Sequence, residues 1–269
     1  MHQAISINTL CFEPGSLDRH IDMAVRLGTQ AISPAIEDVV AFGAPKAARL
    51  LRDTGLTVAT LTHRAFSFAT SAESVAACER LDRTIEIAAA IDASSITMTT
   101  GGRDGLMWPM ATARFAEAIA PCAAHARDAG IKLAIEPTSH LYADVSIAHR
   151  LADTVTIARQ ADIALGIDIF ACWFDSDIEE AIAAAGPIAA LVQVSDHVAG
   201  DRGLPCRAVP GDGMVPLERL LPALIAGGFA GPFDLEIIGP RLAAEGHERG
   251  LQRAGAYIGA ILIDAGLPF

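Results

Sequence analysis

Short apolar segments alternate with longer amphipathic segments along the whole chain of 269 residues. Eight of the short segments have the length and composition of β-strands, and each precedes a segment with helical periodicity. The predicted strands are residues 4–9, 29–33, 56–62, 94–100, 131–136, 163–168, 190–195 and 233–238. The predicted helices are residues 16–27, 44–54, 71–91, 110–129, 145–160, 176–185, 216–227 and 241–265. Eight such units joined by right-handed crossovers predict the α/β class and a single (β/α)8 TIM barrel domain over residues 1–269.

Glycines at the ends of the predicted helices support this division of the chain. Gly28, Gly55, Gly130 and Gly228 each follow an apolar-periodic segment and precede a predicted strand, as glycine does at the C′ position of helices. The longest irregular stretch, residues 196–215, is rich in Gly and Pro and follows the seventh strand. A long loop at that end of a barrel strand is expected to lie over an active site.

The last four predicted strands each carry a polar side chain at or near the carboxyl end. These side chains are Glu136, Asp168, Gln193 and Glu236. Alternation along a strand directs the bulky aliphatic residues to the helices and the polar residues to the barrel axis. Buried carboxylates repel one another and are costly unless they pair or bind a cation, so the set predicts an all-oxygen site for a hard divalent cation. The alternative is a structural network without metal, and Asp196 is expected to be a helix cap or loop anchor.

Several short motifs around these residues resemble one known family. They are Ile135-Glu136-Pro137, Gly166-Ile167-Asp168, Val192-Gln193-Val194-Ser195-Asp196, Arg207-Ala208-Val209-Pro210-Gly211-Asp212-Gly213 and Asp234-Leu235-Glu236. Together they resemble the xylose isomerase-like TIM barrel superfamily, in particular its sugar phosphate isomerase/epimerase family. The resemblance implies one divalent cation, Mn²⁺, Mg²⁺ or Co²⁺, held by Glu136, Asp168, Gln193 and Glu236. Two residues depart from the family pattern: Gln193 replaces a histidine ligand, and Ala171 replaces a histidine that contacts substrate.

The resemblance implies an isomerase or epimerase of a sugar, sugar phosphate or keto-acid. Glu136 or Glu236 would remove a proton beside a metal-bound carbonyl, and the other glutamate would return it. Gln193 resembles the residue found in some 3-dehydroshikimate dehydratases. A metal-dependent dehydratase of the 3-dehydroshikimate or inosose dehydratase type therefore remains the alternative.

Five further residues are candidates for the same site because they follow predicted strands. His63 could act as a catalytic proton shuttle, and His140, Arg207, Arg64 and Trp173 could contact the substrate. Arg207 precedes a Pro-Gly-Asp-Gly turn, and a guanidinium suits substrate oxygens or a phosphate. Each also has an ordinary alternative, a loop position for the histidines and packing for the tryptophan.

The net charge of −12 argues against nucleic-acid binding, and so against an abasic-site endonuclease of the same fold. A non-catalytic sugar-binding barrel remains a further alternative. The chain has no apolar stretch of the ~18 residues that span a bilayer and no signal-peptide pattern, which predicts a cytoplasmic protein without membrane contact. Its five scattered cysteines predict reduced thiols. The expected partner is a small polar carbohydrate-like substrate, and the Ala-rich helices would suit a homodimer or homotetramer.

Overall fold

The computed structural model describes residues 1–267, which contain one sheet of nine parallel strands with helices packed around it. The strands are β1 (Ile5–Asn8), β2 (Ala31–Ser33), β3 (Thr57–Val58), β4 (Leu61–Thr62), β5 (Ser95–Met98), β6 (Lys132–Ile135), β7 (Ala164–Asp168), β8 (Ala189–Val194) and β9 (Phe233–Leu235). The helices are α1 (Leu17–Leu27), α2 (Ile36–Phe42), α3 (Ala44–Thr54), α4 (Ser71–Ala90), α5 (Trp108–Asp128), α6 (Leu151–Ala161), α7 (Ile169–Cys172), α8 (Ile178–Ala185), α9 (Leu217–Ala226), α10 (Pro240–Glu245) and α11 (His247–Asp264).

The sheet closes through its third predicted strand. The strand order is β3-β2-β1-β9-β8-β7-β6-β5-β4, so β3 and β4 stand at the two ends of the order. The two are halves of the predicted strand 56–62, interrupted at Ala59 and Thr60. Bridges from Ala35 to Thr62 and from Val58 to Ala93 connect this segment to both neighbouring strands. The eight predicted strand positions therefore form a TIM barrel, and the predicted fold class is confirmed.

Two predicted helices differ from those in the structure. The helix predicted at 145–160 begins only at Leu151, because the preceding residues bind the loop after β5: Ile147 N donates to Thr100 Oγ1 over 2.8 Å. The helix predicted at 241–265 is divided at Gly246, where φ is 96° and one helix ends before the next begins. The short helices α2 and α7 were not predicted.

The helix ends at Gly28 and Gly55 agree with the sequence pattern. Both glycines have left-handed backbone conformations, with φ of 69° and 73°, and their amides close the final turns of α1 and α3. Neither position would accept a β-carbon without strain. Within residues 1–267, no helix has both the length and the apolar character needed to cross a bilayer.

A buried polar layer lies inside the barrel around Asp234. Ser6 Oγ and Ser33 Oγ donate to Asp234 Oδ1 over 2.5 and 2.6 Å, and Asn8 Nδ2 donates to Oδ2 over 3.3 Å. Burial raises the pKa of Asp234 to about 6, although these three hydrogen bonds lower it in part. Because Asp234 is well bonded, it fixes β1, β2 and β9 relative to one another, two residues before Glu236.

Candidate active site

The strands β6, β7, β8 and β9 bring the four predicted polar residues to the carboxyl end of the barrel. In the sheet register, Asp168 lies opposite Gln193, and Gln193 lies opposite Asp234. Glu136 and Glu236 follow their strands directly, and their amides bond to Met98 O and Val194 O on neighbouring strands. A β-carbon at Gly166 would lie 3.7 Å from Glu136 Cβ and 3.8 Å from Gln193 Oε1, so these side chains converge inside the barrel.

Arg207 joins this cluster from the loop after β8. Its Nη1 donates to Asp168 Oδ1 over 2.9 Å, and its Nη2 donates to Asp168 Oδ2 over 2.7 Å. The same Nη2 lies 3.5 Å from Glu236 Oε2, and Nη1 donates to Ser195 Oγ over 3.3 Å. The guanidinium therefore balances part of the buried negative charge with the two-pronged geometry that carboxylates favour.

Gln193 binds the second carboxylate of the cluster. Its Nε2 donates to Glu236 Oε2 over 2.8 Å, and its Oε1 is buried with no hydrogen-bond donor among the described residues. Glu136 Oε2 is likewise buried and without a hydrogen-bond partner there. Two oxygen acceptors in the centre of the cluster are therefore free to meet a ligand.

Both glutamates of the cluster have raised pKa values. Burial raises the pKa of Glu136 to about 8, the charges of Glu236 and Asp168 add to the shift, and the Gln193 amide and Arg207 oppose it in part. Burial also raises the pKa of Glu236 to about 7, against the opposing charge of Arg207. Burial opposes the charge on Arg207 itself, but Asp168 and Glu236 outweigh it and raise its pKa. Near neutral pH the pair can hold one proton between them, as an acid and a base must.

The donor atoms suit a hard divalent cation, but their arrangement does not. Three carboxylates and an amide oxygen are the correct ligand types, and Glu136 Oε2 and Gln193 Oε1 have no hydrogen-bond partner among the residues described. However, Arg207 occupies both oxygens of Asp168. Within residues 1–267, no group of three or more His, Cys, Asp or Glu side chains is arranged to hold a metal ion. With Arg207 in this position, the site does not fit the expected cation.

A cavity of about 250 Å³ opens directly above the cluster. Glu136, Asp168 and Arg207 form its polar wall. Tyr142 and Phe170 contribute to its apolar side, and the Arg207 Cζ lies 4.8 Å from the centre of the Phe170 ring. The cavity can hold a small molecule against the carboxylates and beside these aromatic side chains.

A wider groove outside this cavity contains two of the predicted substrate-binding residues. His140 and Trp173 line the groove together with Phe174, whose side chain is largely exposed, and His197. The Trp173 ring packs against the rings of Phe174 and His197, with centroids 5.0 and 6.3 Å apart. Both predicted residues thus lie at the entrance to the site.

His63 and Arg64 lie apart from the cluster. Thr84 Oγ1 of α4 bonds to His63 Nδ1 over 3.0 Å, so the imidazole faces the helix layer outside the barrel. Burial and, to a smaller degree, Arg80 lower the pKa of His63 to about 4. Arg64 pairs with Glu37 and is largely exposed. The structure therefore brings neither residue to the carboxylates.

Asp196 holds the loop that carries Arg207. Asp196 Oδ2 accepts hydrogen bonds from the amides of Gly211 and Gly213 over 3.0 and 2.9 Å, and Oδ1 accepts one from Val215 N over 3.0 Å. A backbone bridge also joins Asp196 to Ala208. The loop-anchor interpretation of Asp196 is confirmed.

Three residues of the site were not among the predicted site residues. Phe170 lies in the short helix α7 and Tyr142 in a single turn of 3-10 helix, both too short to show a periodic pattern, and an aromatic residue there is more often a packing residue. Ser195 alternates inward with Gln193, and this pattern could have identified it as a polar contact. Its hydroxyl meets Arg207, a residue twelve positions away in the sequence, and the sequence gives no sign of that contact.

Comparisons with known proteins agree on the fold. Residues 21–256 match the model of the family described as xylose isomerase-like TIM barrel. No curated protein sequence matches the chain. A crystal structure of protein SMc04130 from Sinorhizobium meliloti 1021 is 25% identical, with a TM-score of 0.85 over 97% of this chain and 98% of that one.

Two further solved structures share the fold at lower identity. The IolI protein with a bound zinc atom is 15% identical, with a TM-score of 0.85 over 98% of this chain and 99% of that one. The D-psicose 3-epimerase from Clostridium cellulolyticum H10, solved with D-tagatose, is 16% identical, with a TM-score of 0.80 over 97% and 99% of the two chains. The structural neighbours therefore include a sugar epimerase and a metal-binding protein.

Proposed function

Because the chain belongs to the xylose isomerase-like TIM barrel family, we propose that it is an isomerase or epimerase of a small polyhydroxylated carbonyl compound. One observation carries the proposal: Glu136 and Glu236 share one buried cluster with Arg207, beneath a cavity of ligand size. Two carboxyl groups in such a cluster suit the removal and return of one proton. The neighbouring sugar epimerase of the same fold supports this class of reaction.

The proposed chemistry uses three side chains of the cluster. One glutamate, as the carboxylate, takes a proton from the carbon beside the carbonyl, and the electron pair of that C–H bond moves into an enediolate. In epimerisation, the other glutamate, as the acid, returns a proton to the opposite face of that carbon. In isomerisation, it returns a proton to the former carbonyl carbon, and the hydroxyl proton of the first carbon moves to the former carbonyl oxygen. The Arg207 guanidinium stabilises the negative charge that develops on the oxygen.

The cavity favours a small substrate with several hydroxyl groups. Its volume of about 250 Å³ limits the ligand to a small molecule. Glu136, Asp168 and Arg207 offer hydrogen-bond acceptors and donors, and Phe170, one face of which the Arg207 guanidinium covers, adds an apolar side chain to the lining. An open-chain ketose, with hydroxyl groups along a short carbon chain, suits this mixed lining.

The divalent cation remains a separate prediction from the family resemblance. A bound cation would polarise the carbonyl and lower the pKa of the adjacent C–H. Because the Arg207 guanidinium binds the Asp168 carboxylate, the proposed proton transfers are assigned to Glu136 and Glu236 and do not require a cation. Activity assays with added Mn²⁺, Mg²⁺ or Co²⁺ and with a chelator distinguish a cation-dependent reaction from a cation-independent one.

A dehydratase is the second candidate, and Gln193 is the residue that favours it. The first proton removal would be the same, and an acid would then expel a hydroxyl group from the next carbon. His140, which lines the outer groove, is the proposed acid. The product would contain a carbon–carbon double bond conjugated with the carbonyl, which absorbs in the ultraviolet.

The proposal is tested by incubating the protein in D₂O with a panel of ketoses, aldoses, sugar phosphates and cyclic keto-acids. Proton NMR follows replacement of the C–H beside the carbonyl by deuterium. Isomerisation or epimerisation predicts exchange together with a new sugar, whereas dehydration predicts ultraviolet absorbance and vinyl signals. Binding of a sugar without any exchange or new product would contradict both and favour a non-catalytic binding barrel.

A further inference from the structure

The backbone of Arg207 is held on two sides. Arg207 N donates to Ile238 O over 3.0 Å, which ties it to the segment after β9. The next residue, Ala208, forms a bridge with Asp196 after β8. A β-carbon at Gly239 would lie 3.2 Å from Arg207 O, so the two segments are already in close contact. The backbone position of Arg207 beside the cluster is therefore fixed by the fold.

The guanidinium lies where a cation bound to Asp168 and Glu236 would have to lie. Nη2 is 2.7 Å from Asp168 Oδ2 and 3.5 Å from Glu236 Oε2. A hard cation binds carboxylate oxygens at about 2.0–2.6 Å, so it would need the same oxygens and would meet a second positive charge there. The two remaining ligand oxygens, Glu136 Oε2 and Gln193 Oε1, are buried and have no hydrogen-bond partner in the part of the chain that the structure describes.

We propose that Arg207 and a divalent cation exclude each other, and that removal of the guanidinium exposes a latent cation site formed by Glu136, Asp168, Gln193 and Glu236. In the wild-type protein the guanidinium is the resident cation of the cluster. The protein therefore binds divalent cations weakly, although its oxygen ligands are of the correct type. Arg207 excludes the cation whichever reaction the site performs.

The test is Mn²⁺ binding, measured by isothermal titration calorimetry on chelator-treated protein. Arg207→Ala is expected to bind one Mn²⁺ about 10- to 100-fold more tightly than wild type, the range that corresponds to losing competing hydrogen bonds to a charged group. Arg241→Ala is the matched control, since it removes the same charge from an arginine that pairs with Asp201. Its affinity should equal that of wild type.

A double variant identifies the ligands. Adding Asp168→Asn to Arg207→Ala should remove the gain in affinity, because an amide is a weaker ligand than a carboxylate. The melting temperature gives a second readout: Mn²⁺ should raise that of Arg207→Ala and leave that of wild type unchanged. Equal Mn²⁺ affinity in wild type and Arg207→Ala would overturn the proposal.

Two more variants keep the test decisive if Arg207→Ala does not fold. Arg207→Lys keeps the positive charge, but its single nitrogen cannot bind both Asp168 oxygens at once as the guanidinium does. Tighter Mn²⁺ binding by this variant than by wild type supports the proposal, and unchanged binding overturns it. Gln193→His keeps Arg207 in place. Tight Mn²⁺ binding by that variant would show that the glutamine, not the arginine, limits affinity and would also overturn the proposal.

Discussion

Arg207 and Asp168 form a two-pronged ion pair, with Nη1 and Nη2 at 2.9 and 2.7 Å from the two carboxylate oxygens. The two residues are 39 positions apart, and both are largely removed from solvent. This ion pair determines which carboxyl groups of the cluster are available for proton transfer. It leaves Glu136 and Glu236 as the groups of the cluster whose pKa values lie near neutrality, at about 8 and about 7.

Replacing either glutamate should abolish most of the proton transfer. Glu136→Gln and Glu236→Gln keep the size of each side chain but cannot exchange a proton, so the turnover number should fall about 100- to 10,000-fold. The measurement is deuterium exchange into the substrate found by NMR. Glu248→Gln, on an exposed position of α11, is the control and should retain wild-type turnover. A Glu136→Gln variant with normal exchange would remove Glu136 from the proposed mechanism.

Lowering the pH should destabilise the fold through His63. The pKa of His63 is lowered from 6.5 to about 4 because burial disfavours the charged imidazole, so between these values the unfolded chain binds more protons than the folded one. The contribution of His63 to the free energy of unfolding should therefore fall as the pH drops from about 6.5 to about 4. Urea denaturation of both proteins across this range isolates that contribution: the slope of the free energy of unfolding against pH should be less positive for His63→Gln than for wild type. Parallel slopes in the two proteins would contradict a neutral buried His63.

Asp196 should be important for stability as well as for the position of Arg207. Its carboxylate accepts amide hydrogen bonds from Gly211, Gly213 and Val215, and such bonds to a charged group are worth more than neutral ones. Asp196→Ala should lower the free energy of unfolding by about 2–4 kcal/mol. Chemical denaturation measures this change. Asp53→Ala, an exposed position on α3, serves as control, and an equal effect in both variants would argue against the anchoring role.

Gly101 should not tolerate a β-carbon. That carbon would lie 1.8 Å from Phe66 O, and the residue has φ of 87°. Gly101→Ala should cost about 3 kcal/mol or more, because both backbone strain and a clash with main-chain atoms arise. Gly105 has a similar φ of 79° but nothing within 4 Å, so Gly105→Ala should show only the strain of about 1–2 kcal/mol. Equal costs for the two variants would mean that the loops near Phe66 move apart freely.

The sequence was sufficient for the barrel and for the residues at its carboxyl end. Alternating strands and helices identified all eight strand positions, and strand alternation directed Glu136, Asp168, Gln193 and Glu236 toward one another. These patterns are local, so they can be recognised without knowing which distant residues meet. The break between β3 and β4 and the division of the last helix at Gly246 depend on tertiary contacts and were not predicted.

The sequence-based predictions were less accurate for side chains whose position depends on the conformation of a loop. His63 follows a strand as a site residue would, but its ring meets Thr84 on α4, because the side-chain direction at a strand end depends on how the chain turns. Arg207 was expected to contact substrate. Its pairing with Asp168 joins the loop after β8 to the end of β7, and no periodicity relates the two. Whether four oxygens bind a metal or an arginine is therefore a question of loop geometry, which composition and spacing do not determine.

The bridge between Asp196 and Ala208 has a consequence for how proteins of this design can diverge. Asp196 N donates to Ala208 O over 2.9 Å, and Asp196 O accepts from Ala208 N over 2.8 Å. These two hydrogen bonds join the ends of the loop formed by residues 197–207. In a loop closed in this way, a doubling of length costs only about 0.6 kcal/mol. Insertions and deletions within residues 198–204 can therefore reshape the entrance, where Leu204 lines the cavity, while the bridge continues to fix the residues around Arg207. New substrate ranges can arise there by changes in loop length alone, without altering the charged cluster beneath.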